Sequence, residues 1–111
     1  MPKTRVDRTE FGGLSVVWLE AFVRCAHART RVEVAEQMGI EPVTVTKHIK
    51  KLERWLGRGH FCLLLEDNIW PMHLTEAGKR FLPKAEMVLD LLRQSRVTLT
   101  EISWAEPKKT L

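Results

Sequence analysis

Thr30 to Gly57 reads TRVEVAEQMGIEPVTVTKHIKKLERWLG, which spells two helices with a tight corner between them. Thr30-Arg31-Val32-Glu33 has the form of a capping box: the Thr30 hydroxyl can accept from the Glu33 amide while the Glu33 carboxylate returns to the Thr30 amide, so a helix starts there. Val32, Ala35 and Met38 supply its buried side, and Gly39 can take the left-handed geometry that ends a helix, after barely two turns. Pro42 then suits a first helical position, because its φ is already helical and its absent N–H would have found no partner. The second helix runs to about Leu56. Val45, Ile49, Leu52 and Leu56 fall on one narrow stripe, while Val43, Lys47, Lys50, Lys51 and Arg54 point the other way. Gly57 and Gly59 stop it. A three-residue link, Gly39-Ile40-Glu41, between a short capped helix and a longer amphipathic one has the spacing of a helix-turn-helix, and also that of an ordinary helical hairpin in a core.

Charge is concentrated on the same stretch. Residues 42–60 hold Lys47, Lys50, Lys51, Arg54 and Arg58 against Glu53 alone, so the whole formal excess of +4 sits there and the rest of the chain is neutral. A polyanion-facing surface requires such confinement, whereas a solubility charge could be scattered anywhere. A solvated helix face would carry the same residues. On the first reading the second helix reads a duplex, with Val43 and Thr44 on its first turn near base edges.

Working outward, residues 1–13 carry mixed charge, end in Gly12-Gly13 and show no periodicity, as a mobile arm would. From Ser15, Trp18, Phe22, Cys25 and Ala26 recur at helical spacing, widened by Leu19 and Val23, which predicts a first helix to about Ala28. On the other side, Leu63, Leu64 and Leu65 and then Ile69, Trp70 and Met72 flank Glu66-Asp67-Asn68, with Pro71 confined to an edge, so a short β-hairpin is expected. Thr75 can cap a fourth helix through Ala77, Leu82, Ala85, Val88, Leu89 and Leu92 to near Arg96, bent or restarted at Pro83. Val97 to Trp104 is ambiguous. The division expected is an arm at 1–13, one folded unit at 14–74, a long helix at 75–103 and a tail at 104–111.

Ala35-Glu36-Gln37-Met38-Gly39-Ile40, Val45-Thr46-Lys47-His48-Ile49-Lys50-Lys51-Leu52-Glu53, Leu56-Gly57, Phe61 and Leu74-Thr75-Glu76-Ala77-Gly78 together resemble the DNA-binding domain of LysR-type transcriptional regulators, over about residues 14–96. The resemblance implies a mainly α fold: a winged helix-turn-helix with a short β-hairpin wing and a long C-terminal linker helix that pairs two subunits. Full-length members add a large effector-binding region, so this chain is expected to act as a stand-alone regulator. The family's recognition-helix contacts fall on Pro42, Val43, Thr46 and Lys47. Thr46 and Lys47 match its small hydroxyl and long cation; Pro42 replaces a common glutamine, which shifts base readout toward Thr44 and His48.

The capped helix start resembles the family's serine position, which makes Thr30 and Arg31 phosphate contacts; capping alone would also account for Thr30. Lys50, Lys51 and Arg54 complete the phosphate-neutralising set. In the wing, Leu63 stands where relatives tend to carry an arginine, and Glu66 and Asp67 at the tip would repel phosphate. The wing is therefore expected to add little to DNA affinity. Its Leu65, Ile69 and Trp70 either face a protein partner or, the more ordinary outcome, fold onto the core. Leu82, Ala85, Val88, Leu89 and Leu92 make a stripe broad enough to pack partly on its own domain and partly on a second copy. A homodimer on an interrupted palindrome of double-stranded DNA follows. The rival is a protein-interaction module that pairs with another transcription regulator through the linker helix or the wing.

Several classes are excluded. At 111 residues there is room for one domain, and 44% apolar with 29% charged residues argues against wholesale disorder. No run approaches the ~20 apolar residues of a membrane span, and the first residues lack the apolar core of a signal peptide, so a cytoplasmic, nucleoid-associated protein is expected. Cys25 and Cys62 form no C-x-x-C pattern and read as core thiols. His27, His48, His60 and His73 lack metal-ligand spacing, and no phosphate-cradling glycine loop or nucleophile–base pair is present. No metal, cofactor or enzyme activity is expected.

Overall fold

A computed structural model describes residues 10–60, 62–66 and 70–105, with the backbone alone at 103–105. The elements are α1 (Val16–His27), α2 (Arg31–Met38), α3 (Pro42–Gly57), β1 (Leu65–Glu66), β2 (His73–Leu74) and α4 (Glu76–Ala105). The Ser15 hydroxyl caps α1 by accepting from the Val17 amide. Leu19, Ala21, Phe22 and Cys25 of α1 are buried, and Trp18 and Val23 flank them half-buried. Before α1, Phe11 stacks on Trp55 of α3, ring centroids 6.3 Å apart. The rest of the expected arm, residues 1–9, lies outside the described residues, as does the tail at 106–111.

The capping box at α2 closes with one change of partner. Thr30 Oγ1 accepts from the Glu33 amide at 3.1 Å, but the Glu33 carboxylate accepts from the Arg29 amide, at 2.9 Å, rather than from Thr30. The buried side of α2 is Val34 and Ala35; Val32, expected inside, is 53% exposed. Two residues turn a helix by about 200°, so once Val34 faces α1 and α3, Val32 must face out. Gly39 ends α2 at φ 69°, the left-handed cap its lack of a Cβ allows.

Pro42 opens α3, and Val45, Ile49 and Leu52 are buried beneath it. Its left-handed C-cap is Arg58, at φ 49°, and not Gly57. Gly57 answers to a different constraint: a Cβ there would stand 3.2 Å from Cys62 Cβ.

The hairpin forms with shorter and later strands than expected. Leu65 pairs with Leu74 and Glu66 with His73, antiparallel. Pro71 has no N–H to donate, and the second strand begins after it, at His73. Asp67, Asn68 and Ile69 at the tip, and Phe61 before it, lie outside the described residues. Leu64 and Leu65 are buried, with Trp70, Met72 and Leu74 half-buried against the same core. Leu65 and Trp70 thus fold onto the core, the more ordinary of the two readings of the wing, and Ile69 lies outside the described residues.

Thr75 ties the wing to α4. Its Oγ1 accepts from the Gly78 amide at 3.0 Å and donates to the Leu63 carbonyl at 2.6 Å, while its amide donates to the Leu64 carbonyl at 3.0 Å. Gly78 lies so close to this strand that a Cβ would fall 2.1 Å from the Leu64 carbonyl oxygen. From Glu76, α4 continues without a break through Pro83 to Ala105, so the ambiguous 97–104 stretch is helical and Pro83 does not restart it. Its 30 residues span about 45 Å. Phe81 packs on Phe22, ring centroids 5.6 Å apart, and Ala85 and Leu89 complete the core.

Candidate nucleic-acid interface

At 100° per residue, Val43, Lys47, Lys50, Lys51 and Arg54 occupy an arc of about 100° on α3, opposite Val45, Ile49 and Leu52. All four cations are exposed, as is Val43. Among the described residues none of the four is in an ion pair, whereas Arg24, Arg80 and Arg93 each pair with an acid on their own helix. The one carboxylate in this segment is turned away. Glu53, 9% exposed, uses Oε2 to accept from the Leu64 amide at 2.8 Å. Among the described residues the outer face of α3 therefore carries cations without counter-charge, and Arg58 extends it past the helix end.

The groove-reading candidates divide around this arc. Thr44 is half-buried beside Lys47, on the first turn. Thr46 and His48 lie on opposite flanks, both half-buried. Arg31 of α2 donates from its guanidinium to Thr46 Oγ1 at 2.8 Å, which joins the expected phosphate contact to a groove-reading candidate and leaves the Thr46 O–H available as a donor. On the other flank, His48 Nδ1 is buried without a hydrogen-bond partner among the described residues. Burial, with Lys51 adding repulsion, lowers the His48 pKa, so the ring is neutral at pH 7. Thr30 is exposed but its oxygen already caps α2.

The expected dimer stripe splits. Ala85, 1% exposed, and Leu89 belong to the core of their own domain and leave no surface for a second chain, and Leu82 is half-buried there. Val88 and Leu92 remain open and continue into Leu99 and Ile102, a seam spaced near 3.5 residues, with Met87, Leu91 and Val97 beside it.

Two residues were legible only in part. Glu53 follows Ile49 by four positions, the signature of a residue on the buried side, yet its charge argued for the outside. Arg58 was counted in the basic segment but not as a site residue, since nothing local places a side chain beyond a helix end.

The profile described as "Bacterial regulatory helix-turn-helix protein, lysR family" matches residues 16–79, from α1 into the first turn of α4. The chain belongs to this LysR family. Among curated relatives, the HTH-type transcriptional regulator CitR of Bacillus subtilis (strain 168) is 33% identical over 85 residues, which cover 77% of this chain and 28% of CitR. The chain thus spans under a third of the length of that relative. A crystal structure of a LysR family transcriptional regulator superposes with TM-score 0.66 at 29% identity, over 86% of this chain and 31% of the other. The CbnR DNA-binding domain in its DNA complex superposes with TM-score 0.69 at 26% identity, over 81% of this chain and 99% of that domain. This LysR-type domain therefore has the winged helix-turn-helix fold of DNA-binding transcription regulators, extended by the long α4. Among the described residues no helix is long and apolar enough to cross a membrane, and no three His, Cys, Asp or Glu side chains cluster to hold a metal ion.

Proposed function

We propose that this LysR-type domain binds duplex DNA as a homodimer at an interrupted palindrome and regulates transcription on the nucleoid. The observation that carries the reading is the outer face of α3, where Lys47, Lys50, Lys51 and Arg54 stand exposed and without an ion-pair partner among the described residues, while Glu53 is bonded inward. These four cations, with Arg31 and the start of α2, neutralise phosphates and set the register; Val43, Thr44, Thr46 and His48 meet the base edges. The likeness to CbnR, whose domain was crystallised with DNA, supports this. The seam of Val88, Leu92, Leu99 and Ile102 supports pairing of two copies through α4, which would place two α3 helices on one side of a duplex.

The test is selection of sites from random duplexes, then footprinting and sedimentation of the complex. Two equal protected segments separated by about 10.5 base pairs or a whole multiple, held by twice the 12.9 kDa chain, is the expected result. A single protected segment bound by one chain would refute the dimer. Retention by DNA that salt does not weaken would refute the phosphate-facing role of α3.

A further inference from the structure

A cavity of about 190 Å³ opens between α2, α3 and the wing, and DNA reading by α3 leaves it unexplained. Its buried wall is formed by Cys25, Val45, Ile49 and Leu65 together with Glu53, and the half-buried Trp70 and Met72 close it from the wing. Burial pushes the Cys25 thiol up to about 12, against a smaller opposing pull from Arg31, so it stays a neutral, soft surface. Two exposed cations border the opening, Arg31 and Lys50, with the Thr46 hydroxyl between α2 and α3. Among the described residues Glu53 is the one carboxylate on the lining; it lies on the buried side and is already engaged by the Leu64 amide.

The lining is mixed, an apolar floor beside comparable polar surface from Arg31, Thr46, Lys50 and Glu53, so a ligand with an apolar body and a charged end fits it. An apolar cavity of about 150 Å³ holds a benzene molecule, so this one admits a single ring with a short substituent. The Trp70 indole offers a surface for ring stacking. The cations at the opening select a negative end, and Glu53 inside keeps that end outward. We propose that this cavity binds a small monocyclic aromatic carboxylate, held by Arg31 and Lys50, and that its occupancy opposes DNA binding. The second half rests on the DNA-binding reading above: the ligand's carboxylate and a DNA phosphate would draw on the same two cations. By linkage, DNA must weaken the ligand as much as the ligand weakens DNA.

Phenylacetate is the probe, with benzylamine as its cationic counterpart, titrated into the whole chain without DNA. The readout is the methyl NMR signals of Leu63, Leu65 and Met72 and the fluorescence of Trp70, assigned with a Trp70→Phe variant. Saturable shifts at these methyls are expected at about millimolar phenylacetate, with benzylamine at least about ten-fold weaker and Lys50→Gln weakening phenylacetate by about ten-fold. Folded protein that shows no saturable shift up to about 10 mM, or that binds the two probes equally, overturns the site. Shifts that persist unchanged when the protein is saturated with duplex overturn the competition. Methyl shifts in a protein that fails to bind any duplex would uphold the cavity and refute the DNA-binding reading alone.

Discussion

Lys47→Ala tests the face of α3 most directly. Lys47 is exposed, lies mid-arc between Lys50 and Lys51, and has no carboxylate partner among the described residues. If Lys47, Lys50, Lys51 and Arg54 each neutralise one phosphate, the two α3 helices alone make about eight contacts and contribute about −7 to the slope of the logarithm of affinity against the logarithm of salt. From about 50 to about 200 mM salt, such a contribution costs about 10⁴ in affinity. Removing Lys47 from both copies leaves about six of these contacts, a contribution near −5.4 and a loss of about 10³ over the same range. Fluorescence anisotropy with a selected site and with a scrambled duplex should show weakening on both alike, because a phosphate contact carries no sequence information. The fold should be untouched, since an unpaired surface side chain contributes within about 0.5 kcal/mol. A folded variant with the wild-type slope would refute the assignment of Lys47, and a loss confined to one sequence would recast it as a base contact.

Three further outcomes follow from the packing. Gly78→Ala drives a Cβ against the Leu64 carbonyl, where 2.1 Å is available, and should cost about 3 kcal/mol or more in urea unfolding; a wild-type midpoint would show that α4 slides freely on the wing. His48 has its pKa lowered below 6.5 by burial first and Lys51 second, so the unfolded chain takes up the proton more readily. Stability is then complete above about pH 6.5 and falls as pH drops below it; urea midpoints from pH 7.5 to pH 5 should show this decline, and His48→Gln should flatten it. The Cys25 thiol, held up to about 12 by burial, should resist a disulfide reagent at pH 8 while half-buried Cys62 reacts, and urea should release the second thiol; two fast thiols in native protein would place Cys25 at the surface.

Glu53, Thr75 and Gly78, which contributed to the resemblance, turn out to meet at one place. Glu53 holds the Leu64 amide, Thr75 holds the Leu63 and Leu64 carbonyls, and Gly78 lets α4 approach the Leu64 carbonyl. A strand too short to stabilise itself is pinned from both sides, and this sets the wing beside α3. The spacing Leu74-Thr75-Glu76-Ala77-Gly78 announces a helix start, but only the assembled fold shows why the fifth residue has no side chain.

Signals that act within one or two turns were readable along the chain: the Thr30 cap, the left-handed Gly39, Pro42 at the first position of α3, the Thr75 cap, and the apolar stripe of Val45, Ile49 and Leu52. Each is settled by backbone geometry or by a period of 3.6, which local sequence contains. What the chain order could not contain is which of two chemically similar residues a distant element covers. Val34 rather than Val32 is buried because α1 and α3 close on that side of α2, and Glu53 turns inward because the Leu64 amide, eleven residues on, needs an acceptor. Ala85 and Leu89 are spent on the core while Val88 and Leu92 stay open, a division made where α4 crosses α1. Burial is a property of surfaces meeting, and those surfaces exist only after the chain has folded.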